Sequence, residues 1–428
     1  MRFDAGLSVA SRFDALIVGA GPAGASAAIL LAKAGWQVAL IEKQPFPRRK
    51  VCGECLAPSN LPLLDALGIG TEFMAQAGPP LRRVALMRGS RSVVADLPPA
   101  AHPTHVWGRA LARETLDNLL LARARAAGVT VLQPWAVQKI SGQPGSHHCT
   151  LREAITGRLQ ALSAPVAILA HGSWEPLPAA RAEQRQARRG SDLLAFKATF
   201  DGASLSPGLL PVLAFEGGYG GMVLADRGQL TLACCIRTDR LDALRRHSGS
   251  RAAGDVVEAM LRRECQGVAR ALRHAERRGA WLASGPLAPG MRLQHHDALL
   301  RIGNAAGEAH PIIGEGMSMA LQSAWLLSAE LVAARQQRGM LAGTSWQHDV
   351  RRRYTTQWRQ HFAPRMRLAA AFAHLVMRPT GSAALMALLA RFPCLLTRGA
   401  AWGGKLRCVV DDQTVDALAG RALNTKLP

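Results

Sequence analysis

The sequence is poor in acidic and in aromatic residues. It holds 52 Lys and Arg against 30 Asp and Glu, for a net charge of +22, and only 5% of its residues are aromatic, including two tyrosines. Such a charge favours acidic partners, phosphate-bearing ligands or anionic membranes. Arginine greatly outnumbers lysine and the basic residues are scattered, so the base composition of the coding DNA explains the charge better. No nucleic-acid motif is present, and we expect no nucleic-acid binding.

A secretory leader and a disulfide framework are also missing. The residues before the first apolar run carry charges at Arg2, Asp4 and Arg12 and lack an apolar core, which predicts a cytoplasmic protein. The eight cysteines of this 428-residue chain are irregularly spaced, so we expect reduced thiols. The length predicts two or three domains.

What the sequence does have is a dinucleotide-binding pattern near its start. The apolar run Ala15–Val18 leads into Gly19-x-Gly21-x-x-Gly24, which opens a helix, and a second apolar run ends at Glu42, 18 residues after Gly24. The first glycine permits a tight turn, the second lets the backbone approach a pyrophosphate, and the third lets helix and strand pack closely. An acid about 20 residues on can bond a ribose hydroxyl. This pattern predicts binding of an ADP moiety and allows either NAD or FAD.

A membrane span is the alternative for the same stretch, because residues 15–32 form an uncharged run of suitable length. Three glycines and Pro22 crowd its first half, and runs of aliphatic and β-branched residues flank it. These features favour strand, turn and helix over a span.

The rest of the chain alternates strand and helix patterns. We predict a loop and a short helix ended by Gly68, a hairpin over 78–102, an amphipathic helix over 109–127, and a strand before His171. An exposed connection is expected over 176–190, followed by short strands over 192–236, a basic helical stretch over 241–278, a strand before Gly303 and a helix over 316–335. Two apolar helical segments, 368–377 and 382–390, are too short to span a bilayer. We expect them to pack on the core, and peripheral membrane contact is the alternative.

Four segments make the chain resemble the FAD-dependent oxidoreductases of the aromatic-hydroxylase and geranylgeranyl-reductase superfamily over residues 12 to 335. They are the glycine fingerprint with Glu42, the segment 46–56 with its K-x-C-G sequence, Arg113-x-x-Leu-Asp117, and 303–317, which is similar to G-D-A-A-H-x-x-x-P-x-x-G-x-G. The resemblance implies an α/β fold: a Rossmann-like (GR2-type) three-layer FAD-binding domain with an inserted antiparallel-sheet substrate domain and a helical C-terminal tail. The implied domains are 12–77, 103–178 and 284–335 for FAD, 78–102 and 179–283 for substrate, and 336–428 for the tail.

The resemblance also implies FAD as the cofactor, and the 303–317 segment decides for FAD over NAD. A side chain at the end of a strand can bond the ribityl chain, and the helix opening after Gly314 can stabilise negative charge on a reduced flavin. The expected cofactor contacts are Gly19, Gly21, Gly24, Glu42, Lys43, Arg113, Gly303, Asn304, Gly314, Gly316 and Met317.

Two departures from the family pattern concern the flavin and its electron donor. Asn304 stands where the family usually has Asp, and it can hydrogen-bond without charge. His171-Gly172 replaces an Asp-Gly pair implied in binding both FAD and pyridine nucleotide, which weighs against direct use of NAD(P)H. The electron donor is therefore expected to be either NAD(P)H or a separate reductase. No second glycine fingerprint follows a strand, so a two-nucleotide disulfide reductase is not expected.

The candidate catalytic residues are Cys52, Glu54 and His310. Cys52 and Cys55 form a C-x-x-C. Packing or lining of the substrate site is the preferred role of Cys52, a reactive thiol near the flavin is the second, and metal binding is the last; we expect no metal site. Glu54 and His310 could supply a proton, with loop hydrogen bonding as the alternative for each. Tyr219, in the glycine-rich stretch 216–221, is read as part of a turn, with pocket lining as the alternative.

The preferred function is a monooxygenase that hydroxylates an apolar or aromatic metabolite, polyketide-like or isoprenoid-like, through the flavin hydroperoxide that the resemblance implies. The first alternative is a double-bond reductase of the geranylgeranyl-reductase type, favoured by the Cys52-Gly53 segment and weakened by the lack of a Tyr-x-Trp-x-Phe-Pro segment. A halogenase is less favoured because a Trp-x-Trp-x-Ile-Pro segment is missing. A flavin-binding protein without catalytic activity is the last alternative. The oligomeric state does not follow from the sequence.

Overall fold

The fold is described from a computed structural model that covers residues 13–173, 189–248, 252–293, 297, 299–338, 345–406 and 408–420. The connection expected over 176–190 lies almost wholly outside these residues. The strands are β1 (Ala15–Val18), β2 (Val38–Ile41), β3 (Cys55–Leu56), β4 (Arg83–Arg88), β5 (Arg91–Asp96), β6 (Arg109–Ala110), β7 (Thr130–Leu132), β8 (Trp135–Gln143), β9 (Ser146–Glu153), β10 (Leu159–Ala164), β11 (Val166–Leu169), β12 (Leu193–Asp201), β13 (Leu209–Phe215), β14 (Gly218–Leu224), β15 (Leu230–Arg237), β16 (Glu276–Arg277), β17 (Leu282–Ser284), β18 (Gly290–Met291), β19 (Leu300–Arg301) and β20 (Gly307–Glu308).

The α-helices are α1 (Pro22–Lys33), α2 (Leu61–Leu67), α3 (Gly70–Gln76), α4 (Arg113–Ala126), α5 (Thr238–Ser248), α6 (Ala253–Glu264), α7 (Gln266–Ala271), α8 (Gly316–Arg338), α9 (Ser345–Met377), α10 (Pro379–Arg391), α11 (Cys394–Ala400) and α12 (Asp412–Gly420). Short 3₁₀ turns lie at Pro58–Asn60, Asp226–Gly228, Gly303–Ala305 and Pro311–Ile313, and a π-turn lies at Ala401–Lys405.

A parallel sheet in the order β19-β11-β1-β2-β7 forms the middle layer of the first unit. Successive side chains of a strand point to opposite faces, and β1 follows this rule. Ala15 and Ile17 pack with α1, α4 and α8, whereas Leu16 and Val18 pack against the antiparallel sheet β10-β9-β8. Helices, parallel sheet and antiparallel sheet make three layers, as predicted for the α/β fold.

A second, mostly antiparallel sheet runs in the order β16-β12-β15-β14-β13-β4-β5, and β17 also pairs with β12. The hairpin β4–β5 joins it through a parallel pairing of β4 with β13, Arg83 opposite Leu209. Helices α5 to α7 cover one face. The other face, which includes Tyr219 and Cys235, faces the C-terminal helices. The domain limits given above stay a prediction.

The long helix α9 connects the two units. Its first part packs in the core of the parallel-sheet unit through Trp346 and Trp358, and its last turns pack beside the second sheet through Ala373 and Val376. α10 then turns back at 104°. Val376, Met386 and Leu389 are buried, so both apolar segments of the tail bury one face on the core.

Among the described residues, one helix, Gly316–Gln337, is long and apolar enough to cross a membrane. In its most apolar 18-residue stretch, 83% is buried inside the protein. α9 and α10 pass the same test only when they are counted together across their bend. Residues 15–32, for which a span was the alternative, form β1, a turn and most of α1.

Two expectations from the sequence need correction, and one feature was missed. The helix expected from Arg109 begins at Arg113, because Arg109–Ala110 pairs with Cys55–Leu56 as a short ribbon. Tyr219 lies in β14, since the turn is confined to Glu216 and Gly217. The glycines around Tyr219 permit close strand pairing instead: a Cβ on Gly218 would lie 2.5 Å from the Cys235 carbonyl oxygen. The antiparallel sheet over 135–164 was not predicted.

Candidate flavin site

Two glycines of the β1–α1 turn are needed by the protein itself. Gly19 has φ +104°, and a Cβ there would lie 2.6 Å from the Ala170 carbonyl oxygen. A Cβ on Gly24 would lie 1.9 Å from the Gly19 carbonyl oxygen. These positions fix the tight turn and the close packing of α1 on the sheet. Neither needs a ligand to explain it.

Gly21 is different, because the space above it is open. Its backbone is extended, with φ −70°, and an added Cβ would meet no atom closer than the guanidinium nitrogens of Arg113 at 3.7 Å and Arg48 at 3.8 Å. Gly21 also precedes the first turn of α1 and makes no side-chain cap. Free helix N–H groups and two guanidinium groups around an open position bind anions. The residues therefore fit the diphosphate of a dinucleotide.

A buried carboxylate holds the two arginines in place. Asp117 is fully buried and accepts two hydrogen bonds of 2.8 Å from Arg113, and it lies 3.8 Å from Arg48. Burial alone would lower the pKa of Arg113, but the Asp117 carboxylate outweighs it and the pKa lies above its ordinary value. Asp117 therefore holds both guanidinium groups toward the same opening. Arg48 was missed from the sequence because it lies in a loop without a local pattern.

Glu42 ends β2 at the edge of the same opening. Its carboxylate accepts hydrogen bonds from the backbone N–H groups of Ala20 (2.9 Å) and Gln44 (2.9 Å) and from Arg48 (3.0 Å). These donors fix its orientation, and carboxylate oxygens can accept a further ribose hydroxyl. Lys43 lines the cavity beside it.

The 303–317 segment lies across the opening from the fingerprint. Gly303 has φ +57°, and its N–H donates to Ser323 Oγ at 2.9 Å. The amide of Asn304 donates to Ser173 Oγ at 2.8 Å, so Ser173 is a lining residue that sequence reasoning missed. Gly316 begins α8, and no atom lies within 4 Å of a Cβ placed there. A second open helix N-terminus therefore faces the cavity.

The fingerprint side and the 303–317 side of the opening line one cavity of about 830 Å³. One end holds most of the expected cofactor contacts, namely Gly19, Gly21, Glu42, Lys43, Arg113, Gly303, Asn304, Gly314, Gly316 and Met317. Gly24 lies outside it, beneath the turn. The other end is apolar and is lined by Val84, Leu86, Phe196, Met222, Leu287, Ile312, Phe372, Leu385, Leu389 and Leu395. The second sheet and the C-terminal helices supply most of this apolar end.

The cysteine pair lies in the cavity wall. Cys52 is half-buried and accepts a hydrogen bond from the Glu54 N–H at 3.3 Å, and the Cys55 thiol donates to the Gly53 carbonyl oxygen at 3.3 Å. No group of three or more His, Cys, Asp or Glu in the described ranges has a metal-binding arrangement. Cys52 and Cys55 both line the cavity, and the role of Cys52 stays a prediction.

Glu54 is buried and bonded on both carboxylate oxygens. One accepts from Lys197 and from the Arg113 N–H at 2.9 Å, and the other accepts from Thr231 at 2.5 Å. Its φ of +61° turns it from the first unit toward the second sheet. These contacts favour the hydrogen-bonding alternative and make Glu54 a link between the two units.

His310 lies behind the cavity wall. Its Nδ1 is 3.2 Å from the hydroxyl of Tyr219, which lines the cavity, and its ring packs edge-on to His374 at 5.6 Å. Burial and the nearby His374 lower the pKa of His310 from 6.5 to about 4. Tyr219, placed by the structure in the wall, connects the neutral His310 to the cavity.

We expect His310 to make the protein less stable in acid. Between pH 6.5 and about 4 the unfolded chain takes up a proton that the folded His310 does not, so the free energy of unfolding falls as the pH falls through this window. Urea unfolding at several pH values should show a shallower decline for His310→Gln. The exposed His247, changed to Gln, is the control. An unchanged pH dependence in His310→Gln would contradict the assignment.

The comparisons with known proteins agree with this geometry. The model of a family described as the FAD binding domain matches residues 12–358. This chain belongs to that family. The family places the chain in the superfamily that includes aromatic hydroxylases and halogenases, with FAD as its cofactor. The diphosphate, ribose and flavin positions described above stay predictions.

Individual relatives differ in their reactions. A menaquinone reductase of Mycobacterium tuberculosis is 35% identical over 126 residues, covering 29% of this chain and 30% of the relative. The FAD-dependent monooxygenase ankC of Aspergillus thermomutatus is 24% identical over 344 residues, covering 75% of this chain and 57% of the relative. The chain thus spans less than two thirds of the length of these relatives.

A solved structure matches nearly the whole fold. The myxobacterial chondrochloren halogenase CndH has a TM-score of 0.71 and 18% sequence identity, covering 97% of this chain and 98% of that chain. An identity this low shows a shared fold and leaves the reaction open.

Proposed function

We propose that the protein is an FAD-dependent monooxygenase that hydroxylates an apolar or aromatic metabolite, polyketide-like or isoprenoid-like. The observation that carries the proposal is the apolar end of the cavity, which continues directly from the FAD end and is enclosed by the second sheet and the tail helices. Likeness to the monooxygenase ankC over three quarters of the chain supports it.

The protein's own residues bind and orient the reactants. Arg48 and Arg113 would hold the FAD diphosphate, Glu42 its ribose, and Asn304 its ribityl chain. When bound, FAD takes electrons from a donor and transfers them to oxygen or substrate. Apolar walls such as Phe196 and Phe372 would position the substrate and exclude water.

Tyr219 and His310 would hold and donate a proton at the apolar end of the cavity. Burial, with Cys235 and Glu308 nearby, raises the pKa of Tyr219 well above its ordinary value, so the phenol keeps its proton. His310 is neutral near pH 7 and can exchange a hydrogen bond with it. The exposed His374 connects this pair to solvent. The phenol can therefore donate to an oxygen on the substrate side.

The electron donor is part of the proposal. His171 and Gly172 line the cavity where the family's Asp-Gly pair is implied in nucleotide binding. We propose NAD(P)H or a separate reductase, and NADPH oxidation by the purified protein, with and without an added reductase, would separate them.

A double-bond reductase is the second candidate, favoured by the likeness to menaquinone reductase and by Cys52 in the cavity wall. A halogenase stays less favoured, although the fold is shared with CndH. In this chain Tyr219, Gly220 and Gly221 of β14 line the cavity, and no Trp-x-Trp-x-Ile-Pro segment is present in the sequence.

One experiment distinguishes the three reactions. The FAD-loaded protein is reduced and then exposed to ¹⁸O₂ with chloride and a panel of quinones, polyenes and aromatic polyketides. We expect mass spectrometry to find product carrying one ¹⁸O atom. Product carrying two added hydrogens and no ¹⁸O would establish the reductase, and a chlorinated product would establish the halogenase; either result would overturn the monooxygenase proposal.

A further inference from the structure

The part of the tail from Arg351 to Leu406, which holds most of α9 with α10 and α11, carries only positive charges. From Arg351 to Leu406 the sequence contains ten Arg and Lys residues and no Asp or Glu. Arg367, Arg378, Arg391 and Arg398 are exposed on α9 to α11. Within this stretch, Arg353 pairs with Glu330 and Arg365 with Glu315, and both acids lie earlier in the chain. The last part of α9, together with α10 and α11, therefore has no acid of its own.

The same helices expose large apolar side chains. Trp402 is 72% exposed, Phe392 48% and Leu388 47%, and Leu368 and Leu375 are exposed as well. Four other large apolar side chains of the described residues are exposed, and of these Ile155 and Leu159 lie together on the β9–β10 hairpin. Apolar exposure rimmed by basic residues is typical of a helix that lies in a membrane interface.

The surface formed by the exposed apolar and basic residues of α9, α10, α11 and the following π-turn lies around an entrance of the cavity. Leu368 and Leu388 line the cavity and are also exposed to solvent, so they stand at its mouth. Gly399 and Ala400 of α11 and Gly403 line the cavity beside the exposed Trp402. The apolar walls of the substrate end therefore reach the outer surface at Leu368 and Leu388. A substrate that is poorly soluble in water could enter here without crossing water.

The charge decides between the possible occupants of this surface. A second copy of the chain would place the same basic surface against itself in a two-fold dimer, with like charges opposed. Anionic lipid headgroups complement the arginines, and the acyl region accommodates Phe392 and Trp402. We propose that α9, α10 and α11 dock on an anionic lipid bilayer and that the cavity takes its substrate from that bilayer. This inference rests on the apolar substrate of the proposed function.

The test measures binding of the FAD-loaded protein to vesicles without substrate. We expect co-sedimentation with vesicles of phosphatidylcholine and phosphatidylglycerol, at least about tenfold weaker binding to pure phosphatidylcholine, and release by high salt. Because Trp402 is the most exposed tryptophan of the described residues, its fluorescence, taken as the difference between the protein and Trp402→Phe, should shift to shorter wavelength on binding.

Matched variants locate the surface. Phe392→Ser with Trp402→Ser should weaken vesicle binding about tenfold, whereas Ile155→Ser, at an 81% exposed site on the other unit, should leave it unchanged. Arg391→Gln with Arg398→Gln should weaken it too, and Arg246→Gln on α5 should not. Neither Phe392 nor Trp402 lines the cavity, so turnover of detergent-dispersed substrate should persist.

Three results would overturn the proposal: no preference for anionic vesicles, equal losses in the control variants, or a lipid-free dimer that the Phe392 and Trp402 changes dissociate. The last would assign the surface to a second copy. Because vesicle binding is measured without turnover, its failure is distinguishable from failure of the monooxygenase reaction.

Discussion

Replacing Gly21 with valine is expected to abolish FAD binding and leave the protein folded. Among the described residues, the atoms within 4 Å of a Cβ at this position are two guanidinium nitrogens 3.7 and 3.8 Å away, and the backbone at φ −70° accepts any side chain. The protein itself therefore tolerates valine. A bound diphosphate does not, because the side chain would occupy the space that its oxygens need.

The measurement is the flavin absorbance of the purified variant together with FAD titration of the apoprotein. We expect affinity to fall by at least about a hundredfold, which corresponds to roughly 3 kcal/mol. Circular dichroism of the two apoproteins should show similar melting. Gly24→Ala is the contrasting variant: its Cβ would lie 1.9 Å from the Gly19 carbonyl oxygen, so it should lose stability as well as FAD. Retention of flavin by Gly21→Val would show that the diphosphate lies elsewhere.

The contrast between these glycines also shows what sequence can predict. The fingerprint is local, since strand, turn, helix and second strand follow within 30 residues, so Gly19, Gly21 and Glu42 could be placed correctly relative to each other. The 303–317 segment could be placed through its likeness to the family. Ser173 and Arg48 could not, because each depends on how a loop folds back over the turn.

The three-stranded sheet over 135–164 was missed for a different reason. In β9 the buried residues alternate as His147, Cys149 and Leu151, but the first two are not strong strand signals. In β8 an irregular register between Val137 and Lys139 breaks the alternation. The missed sheet matters for the site, since Trp135 and Val137 line the cavity.

Tyr219 and Glu54 show that tertiary contacts can override a prediction made from the local sequence. The glycines beside Tyr219 suggest a turn, yet they let β14 approach β15 closely enough to place the phenol in the cavity wall. Glu54 lies within the C-x-x-C segment, a position that suggests a proton donor near the flavin. Its partners Lys197 and Thr231 lie 143 and 177 residues away in sequence, so no local sequence pattern predicts these contacts.

Removing Lys197 is expected to destabilise the fold strongly. Lys197 in β12 and Glu54 in the first unit are 5% and 1% exposed at their side chains and form an ion pair across the two units. Lys197→Met would leave a buried carboxylate with only Thr231 and a backbone N–H as donors. Breaking a buried pair in this way typically costs about 3 to 5 kcal/mol.

The double variant tests whether the charge is the cause. Glu54→Gln with Lys197→Met removes both charges. The amide oxygen can still accept from the Arg113 N–H, and the amide NH2 can donate to the Thr231 hydroxyl, so the double variant should recover most of the lost stability in denaturant unfolding. If Glu54 were a proton donor in the reaction, Glu54→Gln alone would reduce kcat in a well-folded protein and the double variant would stay inactive. If it links the units, as its contacts indicate, activity should follow stability through the whole cycle, and Lys197→Met should be the most damaging of the three changes.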